Sequence, residues 1–360
     1  MNERIEALRE ALAGTDCDAF FSISPPDNQY LSGMLTSFME MSSVLIITAK
    51  EAHFLCDFRY TEQARAEVTG FEISEIKGDG LARAGEWLTR LGAQNVAFDP
   101  AVLSVAELGR LRAAYTGEME QHPALVQTLR LIKSPEEIEL IRAASELAEG
   151  VMTDIVPTLQ AGVLERDVAA AFEFEFKKRG ATATSFDTIA LFGSKSSLPH
   201  GEPGEKALVA GDVMLFDFGC RMEGYCSDMT RTYVFQESPG GWFDEIYTVT
   251  LEAQLAGLDA IRAGVTGKEV DAVSRSIITD AGFGDYFGHG LGHGVGVEIH
   301  EPPRLNTESR AVLKPGMVVT VEPGIYLPGK GGVRIEDLVV VTESGCDLLT
   351  KASKELIIQG

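Results

Sequence analysis

Four acids stand where a soluble chain has little reason to place them. Asp217 follows the apolar run Val213, Met214, Leu215 and Phe216, and Asp228 comes eleven residues later. An acid inside such a run is costly to bury unless a cation or strong donors meet it. A second pair repeats the arrangement: Glu322 follows Val318, Val319, Thr320 and Val321, and Glu336 lies fourteen residues further on. Around the first acid of each pair, Leu208, Gly211, Asp217 and Gly219 recur as Leu313, Gly316, Glu322 and Gly324, every one displaced by 105. Four carboxylates converging without a cation would repel one another and take up protons. Two divalent cations balance four carboxylates, so the charge count points to a dinuclear centre. Oxygen-rich ligation completed by one histidine suits manganese, taken first, or cobalt, zinc or iron. Such a pair polarises a carbonyl and makes a nucleophile of water, which is hydrolytic chemistry.

The histidines are unevenly placed. His289, His293 and His300 are half of the six in the chain and fall within twelve residues, in FGHGLGHGVGVEIHE. Glycines at 288, 290, 292, 294 and 296 deny this stretch a stable helix and let backbone or ligand approach closely. His289 and His293 are four apart, but without a helix, and without the glutamate of HExxH, they do not form that zinc motif. His200, in SLPHGEPGE, taken alone reads as a surface loop residue. Competing machinery is weak, with no GxSxG elbow and no Walker A loop.

Two kinds of element must position these groups. The acids Asp217 and Asp228 sit on the arms of a hairpin that turns at Glu223 and Gly224 and returns through Tyr225, Thr230 and Tyr233. Ahead of each hairpin lies a helical segment, and these match as well: Ala161, Gly162, Val163, Asp167, Val168 and Gly180 recur, displaced by 102, as Ala263, Gly264, Val265, Glu269, Val270 and Gly282. Two copies of a helix-then-hairpin unit predict one core with an internal pseudo-twofold, across which the four acids face one another. A long helix is predicted from Ser134, where Ser134, Pro135 and Glu137 supply a cap, a first-turn proline and a capping-box acid. Upstream, short apolar runs (Ala19–Ser22, Val44–Thr48, His53–Cys56, Val96–Phe98) alternate with helical ones (Arg4–Leu12, Thr61–Val68, Leu81–Leu91, Val105–Tyr115). The expected architecture is a small α/β domain over residues 1–127, followed by an α+β domain over 128–360 that contains both repeats.

A net charge of −23 argues against nucleic acid or an anionic membrane as partner, since both need clustered lysine and arginine. The opening stretch MNERIEALREAL is a charged amphipathic helix and not a signal peptide, and no window reaches about 18 uninterrupted apolar residues. A cytoplasmic location is expected. Five cysteines with no CxxC read as buried thiols, with a Cys220–Cys226 bridge left open.

At these residues the chain resembles the pita-bread metallopeptidases, which include aminopeptidase P, prolidase and methionine aminopeptidase. The resemblance rests on DFGCRMEGYCSDMTRT, HGLGHGVGVEIHEPPR, TVEPGIY and GVRIEDLVVVT, in family order. It implies that Asp217, Asp228, His293, Glu322 and Glu336 are the metal ligands, that Asp228 and Glu336 bridge two metals, and that Glu322 also handles the nucleophile's proton. It places His200, His289 and His300 near the scissile peptide, and Arg304 and Arg334 near the site, either on the substrate or on ligand carboxylates. Residues 1–127, with NQYLSGM and FLCDFRYTEQA, look like the creatinase-type N-terminal domain. The activity so implied is cleavage between an N-terminal residue and a following proline, with an Xaa-Pro aminopeptidase first and an Xaa-Pro dipeptidase, prolidase, as the alternative. A non-catalytic peptide-binding protein on the same fold is the remote alternative, disfavoured because all five ligands are present. The implied partners are peptides with proline in second position and a second copy of the chain, as a homodimer.

Overall fold

Before residue 130 the short apolar runs build a six-stranded sheet. The computed structural model describes residues 3–35, 43–356 and 358–359, in two compact units, Met1–Arg130 and Leu131–Gly360. In the first unit the strands run in the order Glu72–Glu75, Ala52–Cys56, Ser43–Thr48, Ala19–Ser22, Asn95–Phe98, Glu118–Gln121. One sheet face packs its apolar side chains with Leu8 and Leu12 of helix Glu3–Ala13, and the other with Leu81 and Leu88 of helix Gly80–Arg90. Four elements here were not expected: helices Pro25–Ser32 and Leu125–Arg130 and the strands Glu72–Glu75 and Glu118–Gln121. The two strands lie at the sheet edges, where one flank faces no neighbour and the sequences EISE and EMEQ need no apolar run.

The second unit opens on helix Pro135–Ile155, capped by Ser134 with Glu137 closing the capping box. The repeat seen in the sequence is present bond for bond. Gly162 N–H donates to Leu208 O, and Gly264 N–H to Leu313 O; Leu208 N–H returns to Val163 O, and Leu313 N–H to Val265 O. Gly211 and Gly316, 105 apart, both take left-handed backbone, at φ 83° and 84°, where only glycine is unstrained. Their N–H groups reach Phe235 O and Val341 O, at the ends of the two return strands. After each glycine runs the strand that leads to an acid, Val213–Phe218 in one half and Val318–Val321 in the other, paired antiparallel with Met229–Phe235 and Asp337–Val341.

Each half has its own apolar cluster. Phe172 and Phe176 of helix Glu165–Lys178 stack against Phe216 and Phe218 in the first. In the second, Ile246 and Ala253 of helix Gly241–Ala260 and Val270 of helix Gly267–Asp280 pack with Val319, Val321 and Val339. The first hairpin is bent: its tip, Cys220–Met222 with Tyr225–Cys226, pairs in a separate small sheet with Ala183–Thr184. All five cysteines are free, and Cys220 and Cys226 donate Sγ–H to Ala144 O and Val297 O.

Candidate metal centre

Strand ends bring the acids together. Asp217 lies near the end of its strand, directly opposite Thr230 on the return strand. Asp228 precedes that return strand by one residue. In the other half Glu322 follows Val318–Val321, and Glu336 precedes Asp337–Val341. Each hairpin thus presents one acid where it leaves its sheet and one where it returns. His293 enters from strand Gly292–Gly294, threaded between neighbours so closely that a Cβ on Gly292 would lie 2.1 Å from Thr320 O, and one on Gly294 2.2 Å from Pro302 O. Glycine is required on either side of His293 because the backbones touch there. All five residues line one cavity of about 510 Å³.

The imidazole orientation defines what the centre needs. His293 Nδ1–H donates to Gly294 O at 3.1 Å, because a carbonyl can only accept. Nε2 is left facing Glu322 Oε1 at 3.3 Å and Asp228 Oδ2 at 3.5 Å. Something positive, a proton or a metal ion, must lie between that nitrogen and those oxygens. Ligand atoms of Asp228, His293 and Glu336 all lie within 4.8 Å of one another. Burial, with Glu336 and Asp217 adding to it, pushes the Asp228 carboxyl well up; burial and then Glu322 do the same to Glu336. Burial raises Asp217 too, against the pull of Arg334. Burial alone would raise Glu322, but contact with His293 reverses it and holds the carboxyl at about 2. Asp217 Oδ1 is buried with no hydrogen-bond partner. An orphaned carboxylate oxygen, oxygen-rich donors and one oriented imidazole together fit divalent cations.

Supporting side chains fix these candidate groups. Thr320 Oγ1–H donates to Glu322 Oε1 and accepts from His293 N–H. Thr230 Oγ1–H donates to Glu336 Oε2 at 2.7 Å and accepts from Arg334 Nε at 3.0 Å. Arg334 is buried and gives Nη2 to Asp217 Oδ2 at 2.5 Å, and Nη1 to Tyr326 Oη and Pro199 O. Four hydrogen bonds to protein atoms leave the guanidinium bound to the Asp217 carboxylate and its surroundings. Tyr326 in turn meets His289 Nε2 at 2.9 Å, while His289 Nδ1–H donates to Gly290 O. Burial pushes the Tyr326 hydroxyl up to about 12, so it keeps its proton and donates it to Nε2. Both His289 nitrogens are therefore occupied by protein groups.

The remaining expected residues differ in character. His200, His300 and Arg304 are exposed and line the same cavity. His300 stands edge-on to His293, with ring centroids 4.5 Å apart. Arg304, on strand Glu301–Leu305, forms no ion pair among the described residues. Sequence reasoning passed over Thr230, Thr320 and Tyr326 as site residues. The pairing of Thr230 opposite Asp217 follows from the hairpin register and was the one available signal.

The chain is similar to known proteins along its length. Residues 139–343 match the model of metallopeptidase family M24, and residues 4–132 that of the creatinase/prolidase N-terminal domain. A structure described as an Xaa-Pro dipeptidase from Bacillus anthracis superposes with a TM-score of 0.94, at 42% identity over 99% of each chain. The Xaa-Pro dipeptidase of Pyrococcus furiosus is 37% identical over 99% of this chain and all of its own. A structure described as an X-Pro aminopeptidase from Thermotoga maritima gives a TM-score of 0.89 at 35% identity, covering 97% of this chain and 99% of that one.

Proposed function

Since the chain belongs to metallopeptidase family M24, with a creatinase/prolidase N-terminal domain ahead of the peptidase domain, we propose that it is an Xaa-Pro dipeptidase. The sequence alone put an aminopeptidase first. The relatives support the opposite order, two at 42% and 37% identity being described as dipeptidases against one aminopeptidase at 35%. The observation that carries a hydrolytic reading is the convergence of Asp217, Asp228, His293, Glu322 and Glu336 on one cavity. These five residues would hold two divalent cations, which when bound lower the pKa of a water and polarise the scissile carbonyl.

The chain's own groups do the rest. Glu322, ionised and held by Thr320, accepts a proton from the attacking water and returns it to the proline nitrogen as the bond breaks. Partial desolvation at the cavity wall, and then the neighbouring His293, push His300 down, which favours the neutral imidazole, whose N–H can donate to charge developing on the carbonyl oxygen. His200 offers a second donor at the cavity wall. His289 and Tyr326 brace Arg334, which holds Asp217 in place. The carboxylate-rich end suits the substrate's ammonium, and Arg304 suits the free carboxylate of a terminal proline. Manganese as the metal, a homodimer and a cytoplasmic location belong to the same proposal and rest on the sequence alone. Among the described residues no helix is long and apolar enough to cross a membrane.

Hydrolysis of an Xaa-Pro, Xaa-Ala and Xaa-Pro-Xaa panel, with and without manganese or cobalt, tests this reading. Metal-dependent turnover of Xaa-Pro dipeptides well above the tripeptides is expected. Comparable turnover of both would make it an aminopeptidase, and no preference for proline would reject the assignment.

A further inference from the structure

A second cluster of ligand-type side chains lies in the N-terminal unit, outside everything assigned above. Cys17 stands in the turn between helix Glu3–Ala13 and strand Ala19–Ser22; Glu120 lies on the edge strand Glu118–Gln121 and His122 just beyond it. Side chains two apart on a strand share a face, and the register sets Glu120 level with Ala97 and Phe20. That is the face on which Cys17 packs, among Leu12, Phe20 and Ala97. His122 N–H, bonded to Phe98 O, carries the strand direction one residue pair further. Cys17 Sγ then lies 3.4 Å from His122 Nε2, and Nε2 lies 3.6 Å from Glu120 Oε2. The three ligand atoms fall within 4.8 Å of one another.

We propose that Cys17, Glu120 and His122 form a separate metal site for one borderline-soft divalent cation of the zinc type. Tetrahedral zinc, at about 2.3 Å from sulfur, about 2.0–2.1 Å from nitrogen and about 2.0–2.2 Å from oxygen, sets its ligand atoms roughly 3.3–3.7 Å apart. The sulfur–nitrogen and nitrogen–oxygen edges have those lengths already. Glu120 and His122 side chains are 39% and 25% exposed, which leaves an entry path and a fourth position open to water. Burial pushes the Cys17 thiol up, and the Glu120 and Asp18 carboxylates add to this. A cation bound by the sulfur takes the place of its thiol proton. The bound ion ties residue 17 to residue 122 and so clamps the edge strand to the turn after the first helix.

Cobalt(II) titration of the full-length, reduced, metal-free chain tests the site. Sulfur-to-cobalt charge-transfer absorbance in the near ultraviolet is expected, with the final intensity of one thiolate–cobalt bond per chain once up to three equivalents are bound, two of them by the catalytic centre. The proposed catalytic ligands are oxygen and nitrogen only, so they contribute no such band, and failure of one site leaves the other standing. The band should vanish in Cys17→Ser and need at least a tenfold higher cobalt concentration in His122→Gln, with hydrolytic activity unchanged in both. Zinc should displace the cobalt band and raise the Tm of the parent chain more than that of Cys17→Ser. A titration with no band, or a band and zinc shift that survive Cys17→Ser, would overturn the site and leave only a thiol hydrogen-bonded to a histidine.

Discussion

Thr320 fixes one oxygen of Glu322 and Thr230 one oxygen of Glu336, and this makes single side chains testable. Glu322→Gln keeps the shape but cannot accept a proton, so kcat/KM on an Xaa-Pro dipeptide should fall by about 10²–10⁴-fold. Thr230→Val removes the hydroxyl shared by Glu336 and Arg334 and leaves a buried guanidinium N–H unpaired, a cost of about 1–3 kcal/mol. Metal affinity, read by competition with a chelator, should drop about 10–100-fold, and Thr230→Ser should restore it. Arg304→Ala should raise KM for Xaa-Pro dipeptides while changing kcat little, and equal effects on dipeptides and tripeptides would detach Arg304 from the substrate carboxylate. The acids were legible because a carboxylate in an apolar strand needs an explanation. Thr320 and Tyr326 were not, because hydroxyl and aromatic side chains are ordinary strand formers, and Thr230 could be reached only through the hairpin register that sets it opposite Asp217.

Between residue and domain, the hairpins are held in register by a buried ion pair behind the centre. Arg231, 1% exposed, gives Nη2 to Asp337 Oδ1 at 2.7 Å and Nη1 to the carbonyls of Thr230 and Glu336. It joins the return strand of one half to that of the other. Asp337 also accepts from Gln254, Thr350 and Lys354. Burial works against the Asp337 charge, but Arg231 and Lys354 win and hold its carboxyl below the usual range. A depressed folded value means the stabilisation is complete above the ordinary Asp pKa of about 3.9 and is lost as pH falls through the lower folded one. Asp337→Asn should therefore cost about 3–5 kcal/mol near neutral pH, and the gap to the parent chain should close as acid protonates Asp337 in both states. Urea unfolding at neutral and acid pH checks the sign. The repeated elements were visible in the sequence because both copies need glycine at the same left-handed turns. The edge strands Glu72–Glu75 and Glu118–Gln121 left no comparable trace, since their side chains alternate without an apolar run. Helix Pro25–Ser32 carried its signals, a capping serine, first-turn prolines and Gly33 at φ 81°, in a span too short for helical periodicity to show.

At the scale of the whole chain, the two units have separate apolar cores. A ligand that binds only the folded centre stabilises it by about 2.7 kcal/mol at a hundredfold excess over Kd, or roughly 5–10 °C in Tm for a unit of this size. Manganese added to metal-free protein should produce that shift in the transition of residues 131–360, and hydrogen exchange should slow in Val213–Phe218, Met229–Phe235, Val318–Val321 and Asp337–Val341. Uniform slowing across the first unit would contradict a centre confined to the second. The partition of the acids, one pair to each repeat, also constrains how the protein matures. During synthesis the ribosome delivers Asp217 long before Glu336, and an emerging chain that has made only the first hairpin offers an ion half a cradle. Loading must wait until the second hairpin has left the exit tunnel and docked, so the metal arrives as the last tenant of a nearly finished house, selected by whatever ions the surrounding fluid holds at that moment.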